Sequence, residues 1–225
     1  MKRMLAGIVC LTAGVMYGAE NTAARLKTSV EVLGEIMSAP DNGIPRELIE
    51  NSQCVVIVPG MKKGAFIVGA QYGRGFIECR RVSGHGWSAP AAIKVEGGSF
   101  GFQIGGSETD VVMLVMNKRG AEKLLSSKFT LGADASVAAG PVGRTSAADT
   151  DLKMQAEILT YSRARGVFAG IALNGATLRP DAEANSELYR SNITNKQIVI
   201  GTHQHSPVAA AALTANLNRY STHKE

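Results

Sequence analysis

"GGSFGFQIGGSETD", Gly97 to Asp110, carries more glycine than an ordinary strand, and glycine there serves one of three ends. It builds a phosphate cradle, lets a backbone approach a ligand closely, or permits the bends of a curved sheet. A dinucleotide fingerprint needs G-x-G-x-x-G after a strand and before a helix, because the helix N-terminus holds the pyrophosphate. The nearest match, Gly84-His85-Gly86-Trp87-Ser88-Ala89, runs into Pro90 and the strand-like "AAIKV". A P-loop needs G-x-x-x-x-G-K-[ST], and Gly101 to Gly106 has the spacing but is followed by Ser107 and Glu108. Both nucleotide readings fail on context. Glycine inside strands instead allows bulges, coiling and close packing. Phe100, Phe102 and Ile104 alternate with Ser99, Gly101 and Gln103, so one face is apolar and the other nearly bare. The stretch reads as sheet curvature. A second reading makes the bare face a surface that accepts a ligand, a helix or another backbone.

The flanking sequence agrees. "QCVVIVP", "GAFIVGAQYG", "GFIECRR", "AAIKVEG", "SFGFQIGG" and "TDVVMLVM" are short β-branched or aromatic runs separated by glycine turns, the pattern of consecutive antiparallel strands. Twelve of the 25 glycines fall between Gly60 and Gly106, which concentrates the curvature there. Ahead of the strands, residues 22–38 place Leu26, Val30, Leu33 and Met37 at helical spacing, and Pro40 stops the helix. Pro45 opens a short helix over "PRELIEN". Beyond them come a helix at 117–127 and strand character at 128–140, 154–163 and 166–175, the middle one compatible with helix by composition. A helix follows at 179–190, then a strand at "QIVI" (197–200) and a helix after Pro207. The expected fold is α+β: a strongly bent, glycine-rich antiparallel sheet, bent enough to close part of a barrel, with an N-terminal amphipathic helix and a few flanking helices.

The first residues, "MKRMLAGIVCLTAGVMYGAE", have a basic start, an apolar core of about a dozen residues and small residues before Glu20. They read as a signal peptide over 1–19, leaving 20–225 as one domain in the periplasm or cell envelope. Its removal takes net charge from +5 to +3. That is compatible with an anionic surface but too weak, with too few aromatics, to argue for nucleic acid. Cys54 and Cys79 remain in an oxidising compartment; they either pair as a disulfide or are two buried strand residues.

No motif organises chemistry. His203 and His205 form an H-x-H pair without a local carboxylate or thiolate to complete a metal site, so neither metal nor cofactor is expected. No G-x-S-x-G occurs, and Asp110, Asp134, Asp149, Asp151 and Glu157 sit in settings typical of strand ends and turns. A hydrolase would need Asp110 or Asp134 beside His85 in a deep pocket. Basic residues are more suggestive. "PGMKKGAF" reads as a hairpin tip bearing Lys62 and Lys63, and "GRGFIECRR" supplies Arg74, Arg80 and Arg81. Adjacent tips would gather these cations into one patch for lipid phosphates. The N-terminal helix, with Arg25 and Lys27, would lie in a membrane interface or pack its stripe on the core, the latter fitting its mixed charge better.

"RLKTSVEVLGEIM", "IPRELIENSQCVVIVPGMKKGAFIVGAQYGRG", "GWSAPAAIKVEGGSFGFQIGGSETDVVMLVMNKRGAEKLL", "FTLGADASVAAGPVGR" and "YSRARGVFAGIALNGATLRPD" together resemble the SYLF domain, also called the Ysc84 actin-binding domain. The likeness spans about Arg25 to Tyr189, and the tail resembles the C-terminal extension of bacterial members. It implies a core over 25–190, an extension over 191–225 and no catalytic centre. It also implies binding of phosphoinositide-like or other anionic head groups at a phospholipid membrane surface. The segment Arg25–Met37 and the Lys62/Lys63 turn would carry that contact. The alternative is a structural or interaction protein that self-assembles or docks to an envelope partner through its glycine-rich face.

Overall fold

The computed structural model describes residues 21–39, 43–66, 68–82, 86–100, 105–142, 156–164, 167–170, 173–201 and 207–221. The leader, Gly101, His85 and the H-x-H pair lie outside them. Helix α1 (Thr22–Ser38) starts at Asn21, whose side chain accepts from the Ala23 N–H at 2.9 Å. Leu26, Ser29, Val32, Leu33 and Ile36 are its buried stripe. The short α2 (Arg46–Asn51) follows Pro45.

Four long antiparallel strands come next: β1 (Cys54–Phe66), β2 (Val68–Cys79), β3 (Ala91–Phe100) and β4 (Gly105–Val115). The sequence breaks the first of these at Pro59-Gly60, but the pairing does not stop there. Ile57 faces Phe76 and Lys62 faces Tyr72, one residue out of step; the β4 side slips likewise between Val58 and Met61. Pro59 has no N–H to give the ladder, and Gly60 sits at φ +56°, so a one-residue bulge absorbs both. The Gly60 N–H is satisfied by Asp110 Oδ1 at 2.9 Å.

The remainder is α3 (Lys118–Leu124), β5 (Phe129–Thr130), β6 (Val137–Ala139), β7 (Ile158–Ala164), β8 (Val167–Gly170), β9 (Thr177–Pro180), α4 (Ala182–Tyr189), α5 (Asn195–Ile200), a 3-10 turn at Val208–Ala210 and α6 (Ala211–Tyr220). Strand order is β5-β9-β3-β2-β1-β4-β7-β6, with β8 also on β7, and the sheet curls into a half-barrel. Four expectations need correction. "GAFIVGAQYG" is not one strand: Gly64–Phe66 end β1 and Val68–Gly73 begin β2, antiparallel to it. "QIVI" is helical, because Thr194 and Gln197 form a reciprocal capping box and Ile198 and Val199 turn into the core. The expected strand at 128–140 is two short ones, broken by a turn in which Gly132 has φ +84°. Strand β9, which sequence reading missed, adds to the edge of β3.

The sheet is buried on both faces over half its length. Val55, Ile57, Phe76, Val112 and Leu114 meet α1, α2, α4 and α6 on one side. Val56, Val58, Ile77, Ile93, Val111 and Met113 meet Leu124, Phe129, Leu173 and Ile198 on the other. A ring of amides clamps two helices to β3: the Ala92 N–H donates to Asn185 Oδ1 (2.8 Å), Asn185 Nδ2 to Asn195 Oδ1 (2.6 Å), and Asn195 Nδ2 to the Ala92 carbonyl (3.1 Å). Each of these buried amides thereby finds a partner.

Candidate functional site: the helix-free end of the sheet

Beyond the bulge the sheet continues, and among the described residues no helix covers it. Register puts Gly106, Gly64, Ala70 and Gly98 in one row across β4, β1, β2 and β3, all exposed. A Cβ built on Gly64 would meet nothing within 4 Å, so this row is open backbone. The next row on the same face is Glu108, Lys62, Tyr72 and Glu96, also exposed. The opposite face carries Ser107, Lys63, Gln71 and Gly97. Here the chain before β9 comes close: a Cβ on Gly97 would lie 3.1 Å from Ala176 Cα. The last pairs toward the hairpin end join Phe66 to Val68 and Val68 to Phe100.

Lys62 and Lys63 therefore sit within β1 and not at a hairpin tip, which corrects the expectation. Neighbours in a strand face opposite ways, so the two ammonium groups lie on opposite faces. The bulge decides which goes where, since a one-residue slip exchanges the faces. Lys62 is exposed beside Glu108 and Tyr72. Lys63 is half-buried; burial pushes its ammonium below the usual lysine range, and no carboxylate pairs with it among the described residues.

The single basic patch does not form. Arg74 Nε is 2.6 Å from Asp181 Oδ2, with Lys94 Nζ at 3.8 Å from Oδ1 and Glu183 nearby. Asp181 is 0% exposed. Burial pushes its carboxyl up, but the Arg74 hydrogen bond, the Ala184 N–H and the charges of Arg74 and Lys94 outweigh it and hold it low. Arg80 and Arg81 lie past the other end of β2, eight or nine residues from Tyr72, or roughly 25–30 Å along an extended strand. Arg80 stacks 4.3 Å from the Trp87 ring and donates to the carbonyls of Ile49, Glu50 and Ser52. Arg81 Nε donates to the Trp87 carbonyl at 2.7 Å. Arg25 is 3% exposed in the core-facing side of α1, and Lys27 is exposed with Glu31 at 4.0 Å. The stripe of α1 thus packs inward. Cys54 and Cys79, cross-strand partners, form a disulfide.

Asp149 and Asp151 lie outside the described residues; Asp110, Asp134 and Glu157 have structural partners. Asp110 takes Arg163 Nε at 2.8 Å as well as the Gly60 N–H, and Arg163 also pairs with Glu35 of α1. Asp134 accepts from the Thr130 N–H at 2.6 Å, and Glu157 from the Ser136 N–H at 3.1 Å. Among the described residues no three His, Cys, Asp or Glu side chains gather as metal ligands. No described helix is long and apolar enough to cross a membrane. Sequence reading missed two buried acids, Asp181 and Glu78; an aspartate before "AEANSELY" was the signal for the first, as a helix cap.

Comparison with known proteins adds the lineage. The family model described as Ysc84, Las17-binding protein actin regulator, matches residues 96–220. The chain is similar to human SH3 domain-containing YSC84-like protein 1, 33% identical over 187 residues, covering 80% of this chain and 54% of the relative. It is similar to Schizosaccharomyces pombe SH3 domain-containing protein PJ696.02, 35% identical over 178 residues, 78% of this chain and 41% of that protein. Saccharomyces cerevisiae LAS seventeen-binding protein 3 is 33% identical over 183 residues, 80% and 39% respectively. The chain spans about half the length of these relatives or less.

Proposed function

Because this chain belongs to the Ysc84 family, whose relatives are named as binding proteins and not as enzymes, we propose that it is a non-enzymatic lipid-binding protein of the cell envelope. It meets anionic phospholipid head groups with the helix-free end of its sheet. The observation that carries this reading is a juxtaposition. Phe66, Val68 and Phe100 occupy the terminal strand pairs, and Lys62 and Lys63 stand three to four residues behind them on opposite faces. Apolar residues at an end with cations just behind suit an interface whose head groups are anionic. Half-buried Lys63, without a paired acid among the described residues, gains most from a phosphate partner. The inward packing of α1 moves this role away from Arg25 and the N-terminal helix. The Cys54–Cys79 disulfide supports an oxidising compartment.

The test is co-sedimentation with neutral and anionic phospholipid vesicles at low and high salt. Binding to anionic vesicles that high salt removes is expected, with the Lys62→Glu, Lys63→Glu double variant staying in the supernatant. Binding indifferent to salt and to both substitutions would overturn the reading.

A second reading rests on the open row Gly106–Gly64–Ala70–Gly98, bare enough for another protein surface to lie flat on it. Relatives named for binding Las17 favour a protein partner. Gly64→Trp would then abolish assembly or partner capture and leave vesicle binding intact.

A further inference from the structure

A groove of about 470 Å³ opens at the other end of the sheet, between α3, the end of α5 and the start of β1. Its volume falls in the roughly 300–1,000 Å³ range of small-ligand sites. The lining is mainly apolar: the Cys54–Cys79 disulfide, Ala121, Leu125 and Val199. Val82, 85% exposed, and Ile200, 44% exposed, also line it and are left uncovered by the fold. The charged residues are Arg80, Arg81 and Lys118 against Glu50 and Glu122, one net positive charge. Arg80 is occupied by backbone carbonyls and by the Trp87 ring, whereas Lys118 is exposed and pairs with no acid among the described residues. A slot of aliphatic carbon and disulfide with a net cationic lining suits one ligand class. Its chain removes Val82, Leu125 and Ile200 from water, and its head group neutralises the excess charge.

We propose that this groove binds a single-chain anionic amphiphile, a fatty carboxylate or an alkyl phosphate, one molecule per chain. The site is separate from the helix-free end and does not depend on membrane binding there.

Titration calorimetry with dodecanoate and with dodecyl phosphate, both as monomers below micellisation, tests it. Trp87 supplies a second readout, because Arg80 both lines the groove and stacks on this lone tryptophan. Saturable one-to-one binding with a change in Trp87 fluorescence is expected. Ile200→Glu and Lys118→Glu should each weaken it about tenfold or more by placing like charge against the ligand. An acid at exposed Lys118 sits favourably in the first turn of α3, so melting of that variant should not fall, whereas Ile200→Glu, at the last residue of α5, should lower it only slightly. Lys62→Glu with Lys63→Glu should bind as the parent does. Tight binding of dodecyl phosphate alone would identify phosphate as the head group; tight binding of dodecanoate would identify carboxylate. No saturable binding of either probe, or equal affinity in both groove variants, would overturn the proposal.

Discussion

Glu78 is 1% exposed, and among the described residues its carboxyl faces the Thr214 hydroxyl of α6 without a well-formed hydrogen bond to either oxygen. Burial pushes this carboxyl well above the ordinary 4.5, against smaller pulls from Thr214 and the Arg81 charge. The native state therefore keeps the proton while the unfolded chain gives it up above pH 4.5. Stability must fall as pH rises from there toward the raised native value, and flatten beyond it. Glu78→Gln removes that slope. Thermal melts from pH 4 to about pH 8 should show the parent losing ground to the variant as pH rises, with the difference vanishing at the acid end. Parallel curves would mean that Glu78 ionises freely in the fold. Nothing in "GFIECRR" announces such an acid, because a strand position facing helix looks the same in sequence as one facing water.

At the scale of elements, the bulge in β1 governs what its neighbours tolerate. A Cβ on Gly75 would sit 2.0 Å from the Ile57 carbonyl oxygen and 2.8 Å from Val58 Cα, both backbone atoms. Gly75→Ala should cost roughly 3 kcal/mol or more, since the strand itself must move. Gly64→Ala, in open space, should be neutral or gain about 0.5 kcal/mol from lost unfolded-state freedom. Urea denaturation distinguishes the two; similar costs would mean that the bulge does not bring β2 this close. The α1 helix and the strand character of residues 53–116 were legible because their periods are clean. How the six runs join into four long strands was not, since "GAFIVGAQYG" crosses from β1 into β2. Nor was the bulge, since Pro59-Gly60 is written in the same letters as a turn. "QIVI" misled for the opposite reason: its β-branched run was overridden by a capping box and by packing of Ile198 and Val199. Short β9 ends in Pro180, which reads as a breaker and sits tolerably only on a short segment of this kind.

For the whole molecule, the sequence made the fold class legible and the site only in part. Cations close in sequence were expected close in space, but alternation splits Lys62 from Lys63 and strand length carries Arg80 and Arg81 to the far end. The expected bare face ran through Ser99, Gly101 and Gln103; the open row instead runs through Gly98 and Gly106, register puts Ser99 on the other face, and Gly101 and Gln103 lie outside the described residues. The disulfide was undecidable in sequence because two buried strand cysteines look alike paired or free. It closes a loop of sequence separation 25, worth about 3.5 kcal/mol by loop entropy. Reductant should lower the melting temperature accordingly, and a melt unaffected by complete reduction would mean that the cross-link constrains little.

If the end of the sheet beyond the bulge, and not α1, meets the lipid, vesicles should shield that end alone. Hydrogen–deuterium exchange with and without anionic vesicles tests it most directly. Slowed exchange should centre on residues 62–72 and 96–108 and leave 22–38 unchanged. Protection confined to 22–38, with 62–72 exchanging as in free protein, would contradict the account.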